Sequence, residues 1–354
     1  MHAAVDAGSA EALAGRMLRL VQGYRASCVI ATAVKLGLLD QLDAGPMSVD
    51  ELAKRLRAHG SSLRRFLNAL EALGVVESQG SGVRLAQAGR LLVDPESGLR
   101  ERAILSAEEY IPAWVKLGES VMTGEPAFPA AFGMNVWEHR RAHPELDESF
   151  NRAMADLQAR ARSSVLDVYD FSSCRLVVDV GGGSGALIAD ILQRYPDATG
   201  LVFDQPHVVV RAQAVLAAAG VLDRCRVAGG SFLDSVPTGG DVYILQYVLH
   251  DWSDADCATI LRHCHKAMEP SSALVVVENI VPEGAPPSES LAMLDLHMMV
   301  VLGGRERTSS EYRSLLHSAG LEIRRCVPGR PYPEVIVASR DDAKRASEDP
   351  AGRG

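Results

Sequence analysis

Apolar residues recur at helical spacing from near the start of the chain: Leu13, Met17, Leu20 or Val21, and Tyr24 follow one another at three or four positions, and the pattern continues through Cys28 to Leu39. Before them, residues 1–10 are small and polar and are expected to be disordered. Ser48-Val49-Asp50-Glu51-Leu52 opens like a helix N-terminus, with a capping serine and early acids, and a break at His59-Gly60 precedes a second helix over Ser61–Leu73. Gly74-Val75-Val76-Glu77, the turn Gln79-Gly80-Ser81-Gly82, and Val83-Arg84-Leu85 read as a small β-hairpin. This order of elements is a winged helix-turn-helix, placed over residues 1–98.

From Leu99 to Leu166 the pattern is helical with interruptions at Pro112, Pro126, Pro129 and Pro144, and this linker gathers Tyr110, Trp114, Phe128, Phe132, Trp137 and Phe150. Those rings either wall a pocket for a flat substrate or form the core of inter-domain helices. From Leu176 onward strand and helix patterns alternate, which implies βαβ units and a mostly parallel sheet. The strands read as Leu176–Val180, Thr199–Asp204, Cys225–Val227, Asp241–Leu245 and Ser272–Glu278. Leu291–Leu302 reads as one apolar helix, and Glu322–Val327 pairs with Glu334–Ser339 as an antiparallel closing hairpin. The expected class is α/β, with a Rossmann-like domain over 167–341 following the winged-helix domain and the linker 99–166. A charged tail over 342–354 without core residues is expected to be disordered.

Composition narrows the partners. Of 354 residues 47% are hydrophobic, ample for packed cores, and the net charge of −9 argues against nucleic acid or an anionic membrane surface. The six cysteines are scattered without C-x-x-C spacing, as in a reduced, cytoplasmic protein. No apolar run approaches the length of a membrane span, and the acids Asp6 and Glu11 do not fit an export signal. DNA reading by Arg64 and Arg65 on the helix Ser61–Leu73 is offset by Asp50, Glu51 and Glu71, and the apolar stripe of that helix is an ordinary core face. The first helices are apolar over more surface than one small domain can cover, as expected of a homodimer.

The stretch Leu176–Leu187 carries the strongest chemical signal. A buried strand runs into Gly181-Gly182-Gly183-Ser184-Gly185 and then into a helix, an arrangement that brings a ligand close to backbone. The spacing Gly181-x-Gly183-x-x-Ala186 also satisfies a loose dinucleotide fingerprint, so a nicotinamide nucleotide stays open here. Asp204 ends the next strand roughly twenty residues on, suited to ribose hydroxyls. Phe232 follows the third strand, where it can lie against a purine. His250, beside Asp251 and Trp252, follows the fourth strand and so reaches the same sheet edge as the glycines. His263-Cys264-His265 is the one tight cluster of metal-ligand types, but its neighbours point to different helix faces, so no metal is expected.

Taken together, VVDVGGGSG, VFDQPHV, GGSF, LHDWSD, VVVENIVP and GGRERT resemble, in order and spacing, the S-adenosylmethionine-dependent O-methyltransferases of the plant caffeate type, whose bacterial members act on aromatic natural products such as antibiotics. The resemblance spans nearly the whole chain, including the winged-helix dimerisation domain. It implies that His250 is the general base, with Asp251 in the same catalytic loop and Glu278 and Glu306 flanking and orienting the ring. It also implies that Asp179, Gly181 and Gly183 border the methionine moiety, that Asp204 holds the ribose, that Ser231 and Phe232 border adenine, and that Gln205 and Gln246 contribute to the cofactor site. Trp114, Phe150, Met154, Met298, Met299 and Leu302 are the candidate acceptor pocket. Relatives carry an acid at the position of Ser231 and plant members a lysine at that of Gln246, so the adenine and cofactor contacts are expected to differ there; plant members also carry a polar residue at the position of Val301, so the acceptor is expected to differ from plant phenylpropanoids.

The chemistry needs these groups for a reason of its own. A sulfonium methyl is already activated, so the protein must align an oxygen and take its proton. Ionising a phenol of pKa about 10 at pH 7 costs roughly 4 kcal/mol. A histidine sharing that proton contributes about 10²- to 10⁴-fold, and a carboxylate on its other nitrogen steadies the imidazolium. The expected reaction is methyl transfer to a phenolic hydroxyl, leaving S-adenosylhomocysteine. The alternatives are N-methylation, a cofactor-dependent hydroxylation or decarboxylation on the same scaffold, and a ligand-sensing DNA-binding regulator.

Overall fold

A computed structural model describes residues 10–80, 82–327 and 333–341, with all side chains in them except those of 155–161. Residues 1–9 of the start expected to be disordered, the expected tail 342–354 and Ser81 of the expected hairpin turn lie outside the described residues, while Ala10, also expected to be disordered, begins a helix. The chain forms two compact units, one of residues 1–112 and 143–156, the other of 113–142 and 157–354, so the stretch 99–166 is divided between them.

In the first unit, Ser48 accepts the Glu51 amide at 3.2 Å and starts the helix Val49–Leu56, as its sequence pattern requires. The next helix, Gly60–Ala72, buries Leu63, Leu67 and Leu70. Val76–Gln79 and Gly82–Leu85 pair antiparallel, and Met47–Ser48 adds a third short strand that has too few residues to show a period. Leu38, Leu39, Leu42, Leu52 and Leu85 complete this core. The helix Ala10–Val21 buries none of its residues, and Leu13, Met17, Leu18, Leu20 and Val21 stand exposed along it.

The second unit is built on a seven-stranded sheet: β1 Leu176–Val180, β2 Thr199–Asp204, β3 Cys225–Gly229, β4 Val242–Gln246, β5 Ala273–Glu278, β6 Leu321–Val327 and β7 Glu334–Arg340. Their order across the sheet is β3-β2-β1-β4-β5-β7-β6. The first five are parallel, and β7 inserts antiparallel between β5 and β6, with Glu334 opposite Glu278. Helices cover both faces, so β1 buries Val177, Val178 and Val180 on alternating sides, which is why the strand reads as an unbroken apolar run. Strand order reverses between β1 and β4, and the crevice beyond their carboxyl ends is where an open α/β sheet binds ligands. The expected single helix Leu291–Leu302 is instead an α-helix, Glu289–His297, continued by a π-helical turn, Met298–Leu302, which packs against the turn after β4.

Candidate active site

The loop after β1 is held by its own amides. Gly181 and Gly182 both donate to the Phe203 carbonyl, at 2.8 and 3.3 Å, Gly183 donates to Asp204 Oδ2 at 2.9 Å, and Gly185 donates to the Gly182 carbonyl at 2.9 Å. Gly181 has φ of +75°, and a Cβ there would lie 2.7 Å from the Val248 side chain; one on Gly182 would lie 2.8 Å from the Asp179 carboxyl. These approaches leave only glycine at both positions.

Asp179 forms the floor of this loop. It is 2% exposed, and burial, with the charge of Asp204 adding, pushes its carboxyl up to about 7. A loop whose amides are already engaged and whose floor is an acid repels a pyrophosphate and suits a cation. The structure therefore favours an ammonium-bearing ligand over the dinucleotide that spacing alone allowed. Asp204 spans the loop and β2 by accepting the amides of Gly183, at 2.9 Å, and Gln205, at 2.6 Å. Gln246 ends β4 and lines the same cavity as Asp179 and Gly181.

The remaining cofactor candidates fare differently. The Phe232 ring lies near Gly181 and meets Trp252 edge-on at 5.6 Å. His263 is spent on the Phe232 carbonyl at 2.9 Å, a packing role, and among the described residues no group of three or more His, Cys, Asp or Glu could hold a metal. Ser231 Oγ accepts the Leu233 amide at 3.2 Å within its own turn, and the side chain of Gln205 accepts from Arg141 at 3.2 Å.

After β4 the chain turns sharply at Tyr247, a non-glycine residue with φ of +53°. That turn aims three successive amides, of Val248, Leu249 and His250, at Glu278 Oε1, at 3.1, 2.8 and 3.4 Å. Glu278 thus grips the loop backbone, and its Oε2 stands 3.7 Å from His250 Nδ1. Glu306 makes the direct bond: Nδ1–H donates to its Oε1 at 2.9 Å. On the other side of the ring, Nε2 faces Asp251 Oδ1 at 3.3 Å. Burial by itself disfavours the charged imidazole, but Glu278, Asp251 and Glu306 outweigh it and push His250 up to about 10. Burial raises Asp251 to about 6, against the pull of His250 and Arg140, and raises Glu278 to about 7.

Two supports of this loop were not singled out in the sequence. Arg307 is wholly buried and gives Nη1 to the Leu249 carbonyl and Nη2 to the Trp252 carbonyl, both at 2.8 Å, while pairing with Asp254. The Arg305 amide donates to the His250 carbonyl at 2.9 Å, and the Glu306 amide to Asp295 at 2.8 Å. Ser253 caps the helix Asp254–Ala267 that carries the chain away.

Of the acceptor candidates, Trp114 donates its indole N–H to His297 Nδ1 at 3.1 Å. Since indole can only donate, His297 carries its own hydrogen on Nε2; burial, then Arg140 and His250, press it down to about 4, so it is neutral. Met298 is buried, and Met299 and Leu302 are half-buried on the π-helical turn. Phe150 and Met154 belong to the first unit, on the helix Pro144–Val168.

The sequence profile of the O-methyltransferase domain matches residues 114–322, and that of the O-methyltransferase dimerisation domain matches residues 18–95. The chain belongs to the O-methyltransferase family. The methyltransferase is 38% identical over 318 residues to a phenazine O-methyltransferase of Lysobacter antibioticus, covering 89% of this chain and 93% of that one. Its fold is similar to a solved structure of mitomycin 7-O-methyltransferase, with a TM-score of 0.89 and 35% identity over 94% of this chain and 99% of that one. It is also similar, with a TM-score of 0.79 and 30% identity over 89% of this chain and 95% of the other, to an O-methyltransferase from neocarzinostatin biosynthesis in complex with S-adenosylmethionine and 2-hydroxy-5-methyl naphthoic acid. The methyltransferase uses S-adenosylmethionine, which the acid-floored glycine loop suits.

Proposed function

We propose that the methyltransferase methylates a phenolic hydroxyl of an aromatic natural product, with His250 taking the acceptor proton. The observation that carries this is the imidazole set between Glu306 on Nδ1, at 2.9 Å, and Asp251 on Nε2, at 3.3 Å. S-adenosylmethionine, when bound, supplies an activated methyl group. Asp179 faces its ammonium, Asp204 its ribose, and Phe232 its base.

Three carboxylates around one imidazole bring its pKa to about 10, the range of a phenol, also about 10. A proton passes between such matched partners with little difference in free energy. Glu306 fixes the ring's orientation and Asp251 gives the departing proton a second acceptor. An amine acceptor gains little from this set, so phenol O-methylation fits better than N-methylation or a non-methyl reaction. Trp114, Met299, Leu302 and the neutral His297 offer a largely apolar wall. Mass-spectrometric screening of polyketide and amino-acid-derived phenols tests the reading; methylation of amines alone would overturn it.

The exposed apolar residues of the helix Ala10–Val21 fit a second copy of the chain, giving a homodimer. Leu63, Leu67 and Leu70 turn the helix Gly60–Ala72 toward the core, and Arg64 lies 3.8 Å from Asp50, which speaks against DNA reading. All six cysteines are unpaired, in keeping with a cytoplasmic enzyme, and no helix among the described residues is long and apolar enough to cross a membrane.

A further inference from the structure

Both nitrogens of the His250 ring face carboxylates, Nδ1 toward Glu306 at 2.9 Å and Nε2 toward Asp251 at 3.3 Å, so the polar edges of the imidazole are taken. One of its faces is covered by Tyr247, whose ring centroid lies 5.6 Å away with the planes inclined by 28°. The backbone at Tyr247 is strained: a φ of +53° is a conformation that a bulky side chain seldom adopts, and among the described residues Arg57 is the other non-glycine with a positive φ. Glycine would meet the same backbone requirement at less cost, so the tyrosine side chain has a use of its own. The ring is firmly seated. The Tyr247 amide donates to the Val277 carbonyl at 3.0 Å, and the side chain packs against the core cluster that includes Val277 and Ile244. Burial, then Glu278 and Glu306, push its phenol above the ordinary value, so it stays neutral and adds no further negative charge beside the imidazole.

We propose that Tyr247 is a positioning residue for His250, its ring fixing the tilt of the imidazole about the bond to Glu306 and offering a π face to the imidazolium. This rests on His250 taking the acceptor proton. Carboxylates at the edges favour the charged ring but leave it able to rock about the Nδ1–H bond, and a ring stacked on the face removes that motion. The electron-rich face of a tyrosine attracts a cation within about 6 Å of its centroid, most strongly where water is excluded, as it is around the buried His250. The other groups that face the imidazole are Glu278 from β5, Glu306, Asp251 from the same loop and His297 from the helix Glu289–His297, with Arg140 bearing on Asp251 and His297. Each of them is kept when Tyr247 alone is changed.

Nitrogen NMR of the full chain with isotope-labelled histidine reads the protonation of the His250 ring without any acceptor, the signal being assigned by its loss in His250→Ala. Tyr247→Phe keeps the ring and should leave the His250 midpoint where it is in the intact protein. Tyr247→Leu keeps apolar bulk and the strained backbone but has no π face, and should lower the midpoint by about half a pH unit or more, the scale of one cation–π contact. Turnover of a phenolic acceptor should follow, with kcat about fivefold lower in Tyr247→Leu and within about twofold of the intact protein in Tyr247→Phe. Tyr247→Gly relieves the strain, and so tests the ring even where Tyr247→Leu does not fold; its kcat should fall as well, whereas a role for the backbone alone predicts that it is kept. An unmoved midpoint in Tyr247→Leu overturns the proposal, as does undiminished kcat in Tyr247→Gly. Unchanged turnover in His250→Ala would instead bring down the assignment of the base and the proposal with it.

Discussion

A β-carbon on Gly304 would lie 2.0 Å from the carbonyl oxygen of His250 and 2.5 Å from the carbonyl carbon of Asp251. The loops that carry His250 and Glu306 thus touch through bare backbone, with no room for even one methyl group. Gly304→Ala should push the loops apart, lengthen the bond from Glu306 to His250, lower kcat by at least about tenfold and destabilise the fold by about 1–3 kcal/mol. Affinity for S-adenosylhomocysteine should change little. Kinetics, thermal unfolding and calorimetry on one preparation check this, and wild-type kcat would refute the close approach.

His250→Ala should lower turnover of a phenolic acceptor by at least about tenfold while leaving cofactor affinity nearly intact. Unchanged turnover would remove His250 from the chemistry.

Glu278 and Glu306 should separate by what their loss affects. Glu278→Ala strips an acceptor from three buried amides and should destabilise the protein by about 3 kcal/mol, since each orphaned group costs about 1 kcal/mol or more. Glu306→Gln leaves that backbone grip in place and should act mainly on kcat and on its pH dependence. Equal losses of thermal stability in the two variants would contradict this division.

Because His250 is pushed up to about 10, its proton-accepting form grows with pH through the neutral range. For a phenolic acceptor, kcat/KM should rise by up to about tenfold per unit between about pH 7 and 9, where an ordinary histidine would give a plateau. The same shift has a stability counterpart. The raised pKa contributes stability that is full below 6.5 and is lost as pH rises toward about 10. A flat rate profile above about pH 7.5 would show that the carboxylates do not hold the ring charged.

Asp179 sets a second pH dependence, of cofactor binding. Its carboxyl, ordinarily at 3.8, sits at about 7 in the fold, so its contribution to stability is full below 3.8 and is lost as pH rises through about 7. A ligand ammonium reverses that loss. S-adenosylhomocysteine affinity should therefore increase from about pH 5 to about 7.5 and then level, and Asp179→Asn should flatten the profile while weakening binding. An affinity independent of pH in the intact protein would exclude the buried acid as the ammonium's partner.

Much of the site was legible because its residues sit where local pattern changes: glycines after an apolar strand, an acid at a strand end, a histidine in a capped loop. Glu306 and its bond to His250 were reached only through the resemblance, since the two lie far apart in the chain and no periodicity links them. Arg307 escaped notice because its partners are backbone carbonyls of Leu249 and Trp252, which no sequence pattern marks. Arg162 lies on a long polar helix where an arginine reads as solvent-facing, and only the fold brings it to the glycine loop. The break at Met298 was hidden because a π-helical turn needs no change in apolar composition. The N-terminal winged helix was readable almost throughout, its third strand Met47–Ser48 excepted.

The triple grip of Glu278 also says something about motion. Loop amides normally exchange with solvent through small local openings, but those of Val248, Leu249 and His250 are buried and share one acceptor at the end of a central strand. Deuterium should enter them at rates close to those of β5 itself rather than of a loop. The histidine is then mounted on the slowest-opening part of the molecule, and substrate exchange must proceed by movement elsewhere.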